Sequence, residues 1–168
     1  IISMIETHVG EQAFQLAIVD YIKKFSGKNV SFIDFIEHME KNTNATLYPI
    51  FNSFLTNPQY PLVTLKKIKK KLRISQQPFS ETITCGEQCL NEELIWHIPL
   101  RLKLFTHKGI VHKELLLDSK SVDLSLPKGT YAVFADGGAL GYFRYQVEGF
   151  ENDSEDWIEQ LSRQEKRS

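Results

Sequence analysis

Histidine is the side chain here that is best suited to metal chemistry near neutral pH, and the chain has five of them. They are His8, His38, His97, His107 and His112. A common catalytic zinc motif has two histidines four residues apart on one helix face, with a glutamate beside the first. No two of these histidines have that spacing. The histidine spacing therefore excludes this zinc motif, and we assign no catalytic residue, metal ligand or cofactor-binding residue in this chain.

A weaker metal candidate lies around one predicted turn. His107 and His112 flank this turn, and Glu114 follows close behind. A surface metal site is one interpretation. We favour the other, solvent-exposed turn histidines, because a structural zinc ion needs four ligands. His97 lies on the face of its predicted strand opposite a run of leucines and needs no special role.

The chain has two cysteines, Cys85 and Cys89. A disulfide between them would close a very small loop and would therefore gain little chain entropy. Metal binding with unknown partners and free thiols in a loop are the other interpretations. Free thiols are favoured, because two cysteines in 168 residues do not make a disulfide framework.

Six basic residues fall within eight positions of the chain. They are Lys66, Lys67, Lys69, Lys70, Lys71 and Arg73. A patch for phosphate or an acidic partner is one interpretation. A solvated hairpin edge is favoured, because no interleaved aromatic residues could stack on bases and edge lysines discourage edge-to-edge pairing. The formal net charge of -1 gives no general case for nucleic-acid or membrane attraction.

Three Asn-X-Ser/Thr triplets begin at Asn29, Asn44 and Asn152. They fit the pattern for N-linked glycosylation. All three also overlap predicted helix starts, where Asn, Ser and Thr are favoured as caps. The capping interpretation is preferred.

A glycine-rich stretch, Asp136-Gly137-Gly138 with Gly141 after it, has the composition of a phosphate-binding loop. It lacks the fixed glycine spacing and the following helix that such loops need. A tight hairpin between two strands is the preferred interpretation.

Helical periodicity dominates residues 1–58, where three successive stretches each predict one buried face. The faces are Phe14, Ala17, Ile18, Tyr21, Ile22 and Phe25, then Phe32, Phe35, Ile36 and Met39, then Leu47, Ile50, Phe51, Phe54 and Leu55. Gly27 is predicted to end the first helix, Ser31 to cap the second with Asp34, and Thr46 to cap the third.

Strand alternation follows a break at residues 57–61. The best run is Leu94, Trp96, Ile98, Leu100, Leu102 and Leu104, six apolar residues at strict period two. It predicts a long strand with one buried face. Shorter strands are predicted at 110–117, 122–126, 131–135 and 142–147, with turn signals between them. This spacing predicts an antiparallel β-sandwich, and no stretch resembles a crossover helix.

The predicted fold class is therefore multi-part α+β: a short α-helical segment, an antiparallel β-sandwich and the start of a helical region. The predicted parts are residues 1–59, 60–149 and 150–168. No apolar run approaches the ~20 residues that a membrane helix needs, so a soluble chain is predicted, without a compartment.

Four motifs, in this order, resemble those of one family. Met4-Ile5-Glu6 with the following Val9–Phe14 resembles R-M-L-E…L-G-E-x-x-F, and Ser31–Phe35 is similar to a S/T-x-x-D-F/L helix start. Phe54–Thr64 resembles W-x-x-Q-P-G-Y-P-V-V-T, and Gly141–Tyr145 resembles G-Y-Y-R-V. The chain thus resembles the aminopeptidase N-like family of zinc aminopeptidases.

Two positions depart from the family pattern. Phe54 stands where the family usually has Trp, and Gln59 stands where it usually has Gly. Trp157 and Leu161 fall where the family's next helical domain begins.

The resemblance implies a non-catalytic excerpt of a larger enzyme. In the family, H-E-x-x-H and a downstream Glu hold zinc, and a Tyr stabilises the tetrahedral intermediate; that Tyr is expected just before Ile1. The chain would be the end of the catalytic domain, the sandwich as a structural spacer, and the first turns of a C-terminal helical domain. Its partners would be the rest of the parent polypeptide, with zinc and peptide substrates bound there.

Two alternatives remain open from the sequence. The parent is a non-enzymatic scaffold relative in the first, and the sandwich is an independent binding module in the second. In the family, the segment similar to residues 1–58 packs against the zinc-bearing half of the catalytic domain, which such an excerpt would lack. Since residues 1–58 are rich in large apolar side chains, we expect an exposed apolar patch. The isolated chain is then expected either to self-associate through residues 1–58 or to have mobile helices beside a firm sandwich.

Overall fold

The computed structural model of the protein describes residues 1–79, 94–150 and 156–167. Four helices come first: α1 (Ile2–Val9), α2 (Glu11–Phe25), α3 (Phe32–Thr43) and α4 (Tyr48–Thr56). The strands are β1 (Pro61–Ile68), β2 (Lys71–Pro78), β3 (Ile98–Thr106), β4 (Gly109–Leu117), β5 (Ser121–Ser125), β6 (Thr130–Phe134) and β7 (Arg144–Glu148). A short helix α5 (Asp156–Glu159) and a 3-10 turn (Glu165–Arg167) follow. The α+β fold class is confirmed.

The strands form two sheets packed as a sandwich. One sheet has the order β5-β2-β1-β7, and the other has the order β4-β3-β6. Described neighbours run antiparallel, except that β1 and β7 run parallel. These two are the first and last described strands, so the whole intervening chain serves as the long connection that a parallel pair requires.

The leucine run lies in the core, as predicted. Its buried members are Trp96, Ile98, Leu100, Leu102 and Leu104. Regular pairing of β3 with β4 begins only at Ile98, and not at Leu94 as predicted. The reason is a side chain: Gln76 Oε1 accepts from the Trp96 backbone N–H at 2.8 Å, and Gln76 Nε2 donates to the Trp96 carbonyl at 2.9 Å. The amide of Gln76 thus takes the place of a strand partner.

Two helix starts show how local and distant caps differ. Ser31 caps α3 with Asp34 in a reciprocal capping box, as predicted. Thr46 does not cap α4, because Glu40 Oε1 from α3 accepts from the backbone N–H groups of Leu47 at 2.6 Å and Tyr48 at 2.8 Å. A carboxylate from the neighbouring helix therefore satisfies donors that a local hydroxyl was expected to satisfy.

Parts of the predicted buried helix faces are exposed. Ile22, Phe32 and Leu55 were predicted to be buried, but they are 60%, 42% and 58% exposed. The core contact of α2 is narrower than its apolar stripe, because Phe14 and Ala17 are the residues of that helix that become fully buried. One connected core nevertheless joins the helices to both sheets.

Candidate functional site at the junction loop

The site where the parts of the chain meet is the junction loop, residues Asp136–Gly141 between β6 and β7. The sequence predicted a hairpin here, and that prediction is wrong. Strand β6 pairs with β3 in one sheet, whereas β7 pairs with β1 in the other. The loop must therefore cross from one sheet to the other.

The junction loop is organised by its own backbone and one carboxylate. Asp136 Oδ1 accepts from the N–H groups of Leu140 at 3.0 Å and Gly141 at 2.8 Å. Gly137 N donates to the Arg101 carbonyl at 2.8 Å, and a Cβ on Gly137 would lie 3.1 Å from that oxygen. A side chain at this position would crowd the Arg101 carbonyl, so glycine favours the close approach. Burial raises the pKa of Asp136, and the nearby charge of Glu165 raises it further.

A second carboxylate reaches the loop from the C-terminal segment. The side chain of Glu165 is 1% exposed, and its Oε1 lies 2.7 Å from Lys103 Nζ of β3. Glu165 also accepts from Gly138 N at 2.8 Å and from Ser162 N at 2.9 Å. Burial alone would raise the pKa of Glu165, but the hydrogen bonds from Lys103, Ser162 and Gly138 outweigh it and lower the pKa to about 2.

The sequence patterns did not point to Glu165 or to Lys103. A local signal was present, because Ser162 and Glu165 have the S-x-x-E spacing of a capping box. The Glu165 N–H also donates to Ser162 Oγ at 3.3 Å, which completes that box. The distant partner, Lys103, has no signal in the local pattern.

The helical segment contacts the sandwich on the other side of the loop. The rings of Phe54 in α4 and Tyr142 meet edge to face at 6.0 Å, and His97 N donates to Ser53 Oγ at 3.0 Å. A cleft of about 200 Å³ lies between α1 and strands β3 and β4. Burial lowers the pKa of His8, which lines this cleft.

The predicted metal candidates are engaged elsewhere. His107 stacks on Tyr131 with ring centroids 5.4 Å apart. Glu114 accepts from Arg101 Nε at 2.9 Å. Within residues 1–79, 94–150 and 156–167, no three His, Cys, Asp or Glu side chains gather as a metal site. Cys85 and Cys89 lie outside the described residues.

The basic cluster does not form a sheet edge, so that prediction is wrong. Strands β1 and β2 form a hairpin, but they lie between β5 and β7 in their sheet. Neighbouring acids meet the basic side chains: Lys66 Nζ lies 2.9 Å from Glu148, and Arg73 Nε lies 2.8 Å from Asp123. The cluster is therefore partly neutralised by strands that are distant in sequence.

The Asn-X-Ser/Thr triplets agree with the prediction only in part, because Ser31 of the first triplet caps α3. Asn44 does not begin a helix, because it ends α3 in the left-handed conformation at φ 53°. Asn29 and Asn44 are both exposed. Asn152 lies outside the described residues.

The sequence of the chain is similar to those of known aminopeptidases. No family model matches the chain. The chain is 30% identical over 142 residues to a leucyl aminopeptidase of Saccharolobus solfataricus, covering 80% of this chain and 17% of that protein. It is 24% identical to endoplasmic reticulum aminopeptidase 2 of Homo sapiens, covering 89% of this chain and 18% of that protein.

A third relative extends the comparison. The chain is 27% identical to tricorn protease-interacting factor F2 of Thermoplasma volcanium, covering 90% of this chain and 19% of that protein. The chain has an α+β fold, and its sequence is similar to one segment of the aminopeptidases. The resemblance to the aminopeptidase N-like family is confirmed, and the chain spans less than a fifth of the length of these curated relatives. None of the helices in the described parts is long and apolar enough to cross a membrane.

Proposed function

We propose that the chain is a non-catalytic segment of a zinc-dependent aminopeptidase, in which the β-sandwich is a rigid spacer between flanking helical parts. The observation that carries this proposal is that at least 80% of the chain matches less than a fifth of two relatives named aminopeptidases. The described residues contain no ligand cluster that fits zinc. In this proposal the zinc and the peptide substrate therefore bind to another part of the polypeptide, and no catalytic step is assigned to this chain.

The packing of both flanks supports a spacer role. Met4 and Ile5 of α1, Phe54 of α4 and Val63 of β1 share one continuous core. On the other side, Leu161 is buried against Phe105. A spacer fixes the relative orientation of its neighbours only when they cannot rotate freely about it. Buried apolar contacts restrict such rotation.

We propose the same domain boundaries that the sequence predicts. Residues 1–59 are the helical part, 60–149 are the sandwich and 150–168 begin the C-terminal part. Since the core crosses the first boundary, residues 1–59 and 60–149 are expected to unfold together.

The test compares the purified 168-residue chain with the longer polypeptide of which we propose it is a segment. We expect the purified chain to hydrolyse no aminoacyl-nitroanilide and to hold no stoichiometric zinc. The complete polypeptide is expected to hold about one zinc ion and to remove N-terminal residues from peptides. A chain that binds one zinc and cleaves by itself would contradict the proposal, and an inactive complete polypeptide would favour the scaffold alternative.

A further inference from the structure

The segment after the sandwich, residues 156–167, reaches the sandwich through side chains spaced four residues apart. The Trp157 ring lies 5.5 Å from the Phe105 ring. Leu161 is buried in a small cluster with Phe105 and Phe134. Glu165 is the next in this series. Because α5 spans only four residues, it has little stability of its own and depends on these contacts.

Glu165 differs from the other two because it is a charged group inside the protein. Its partner Lys103 is only 18% exposed, so both ions have left bulk water. Breaking such a pair from one side leaves the other charge buried and uncompensated. Segment 156–167 can hydrate that charge by leaving the surface, at the cost of the apolar contacts that Trp157 and Leu161 make in their small cluster.

Glu165 also holds the junction loop. Its Oε1 is the acceptor for Gly138 N, one residue from Gly137, whose N–H binds the carbonyl of Arg101 in β3. Arg101 and Gly137 line both the cleft beside α1 and the cleft that contains Lys103 and Glu165. The C-terminal segment therefore contacts the same loop that borders the helical segment.

We propose that Glu165 is a latch: its ion pair with Lys103 and its bond from Gly138 fix segment 156–167 on the sandwich and hold the junction loop in its crossing conformation. The position of segment 156–167 on the sandwich is then set by one buried carboxylate. This inference rests on the spacer function proposed above and names the contact that controls it.

The test uses hydrogen–deuterium exchange on the complete chain 1–168. Glu165→Gln removes the charge while keeping the shape, and Lys103→Met removes the partner from the opposite side. Glu159→Gln is the matched control, because Glu159 is exposed in the same segment. We expect amide exchange at Gly138 and in residues 156–167 to accelerate by about tenfold or more in both latch variants, because local opening becomes easier. Exchange in β1 and β3 should stay unchanged, as should all exchange in the control.

Three results would overturn the latch. One is wild-type protection of residues 156–167 in both latch variants. The second is loss of protection throughout the chain, β3 included, and the third is failure of both variants to fold. In the last two cases Glu165 would support the sandwich itself. The latch can fail without the spacer proposal, since exchange is measured within this chain whereas zinc binding and hydrolysis are measured on the complete polypeptide.

Discussion

Gln76 shows how a single polar side chain can join two sheets through an apolar interior. It lies on β2, and its amide bonds to Trp96 on both the N–H and the carbonyl and to the Ser119 carbonyl at 2.9 Å. Because Gln76 and Trp96 are both buried, no solvent can replace these bonds.

We therefore expect Gln76→Leu to lower the free energy of unfolding by about 2–4 kcal/mol, because it leaves several backbone groups buried and unsatisfied. Urea denaturation monitored by circular dichroism measures this change. Gln77→Leu is the control, since Gln77 is the adjacent, exposed residue on the same strand. Equal losses at the two positions would show that the hydrogen bonds of the Gln76 side chain add no stability of their own.

The acid response of the chain depends on Glu165 and on the groups that face it, Lys103, Asp136 and Tyr145. The folded pKa of Glu165 is about 2, below its ordinary value of 4.5, so its contribution is complete above pH 4.5 and is lost as the pH falls toward 2. Asp136 has the opposite sign, because its raised pKa favours the protonated folded form. Burial raises the pKa of Tyr145 to about 12, so it stays neutral throughout.

We expect the difference in unfolding free energy between the wild type and Glu165→Gln to shrink as the pH is lowered from 7 to 2.5. The raised pKa of Asp136 acts in the same direction in both proteins. It makes the fall in unfolding free energy at low pH smaller in each. Denaturation at a series of pH values measures the difference. A difference that stays constant below pH 4.5 would mean that the ionised form of Glu165 does not stabilise the fold.

Strand β3 is the central strand of its three-stranded sheet. It pairs with β4 on one side and β6 on the other, and Leu102 and Leu104 are buried in the main core. Lys103 lies between them and forms an ion pair with Glu165.

We expect Leu102→Ala to destabilise the chain by about 2–5 kcal/mol, which is the usual cost of truncating a well-buried leucine. The control on the same strand is Arg101→Ala, which removes an exposed ion pair with Glu114 and should cost about 1 kcal/mol or less. Thermal and urea unfolding measure both. If Arg101→Ala proved as costly as Leu102→Ala, the inward face of β3 would be assigned wrongly.

Among the described residues, helix α2 exposes several large apolar side chains. Leu16 and Ile22 of α2 are 64% and 60% exposed, and Val19 lies between them on the same helix face. A soluble monomer rarely leaves such a stripe uncovered.

We expect the chain to self-associate through this face of α2. Sedimentation velocity over a concentration series should show a reversible dimer or larger species, and Ile22→Glu should shift it toward monomer. Val122→Glu, on the sandwich, is the control and should leave the association unchanged. A wild-type chain that stays monomeric at every concentration would contradict this expectation.

The sequence was enough to predict the helical part and the strand part, the turn after β3, the capping box of α3, the inward face of the leucine run and the family resemblance. These features follow from spacings within one element or from local motifs, and side-chain direction repeats with the backbone along an element. The parallel pairing of β1 with β7, the sheet crossing at the junction loop, and the partners of Gln76 and Glu165 became visible only in the folded structure. Gln76 and Trp96 are 20 residues apart and Lys103 and Glu165 are 62 apart, so no local pattern encodes either contact. Such partners are set by how the packed sheets bring distant segments together, where each buried polar group must find a hydrogen bond or an opposite charge.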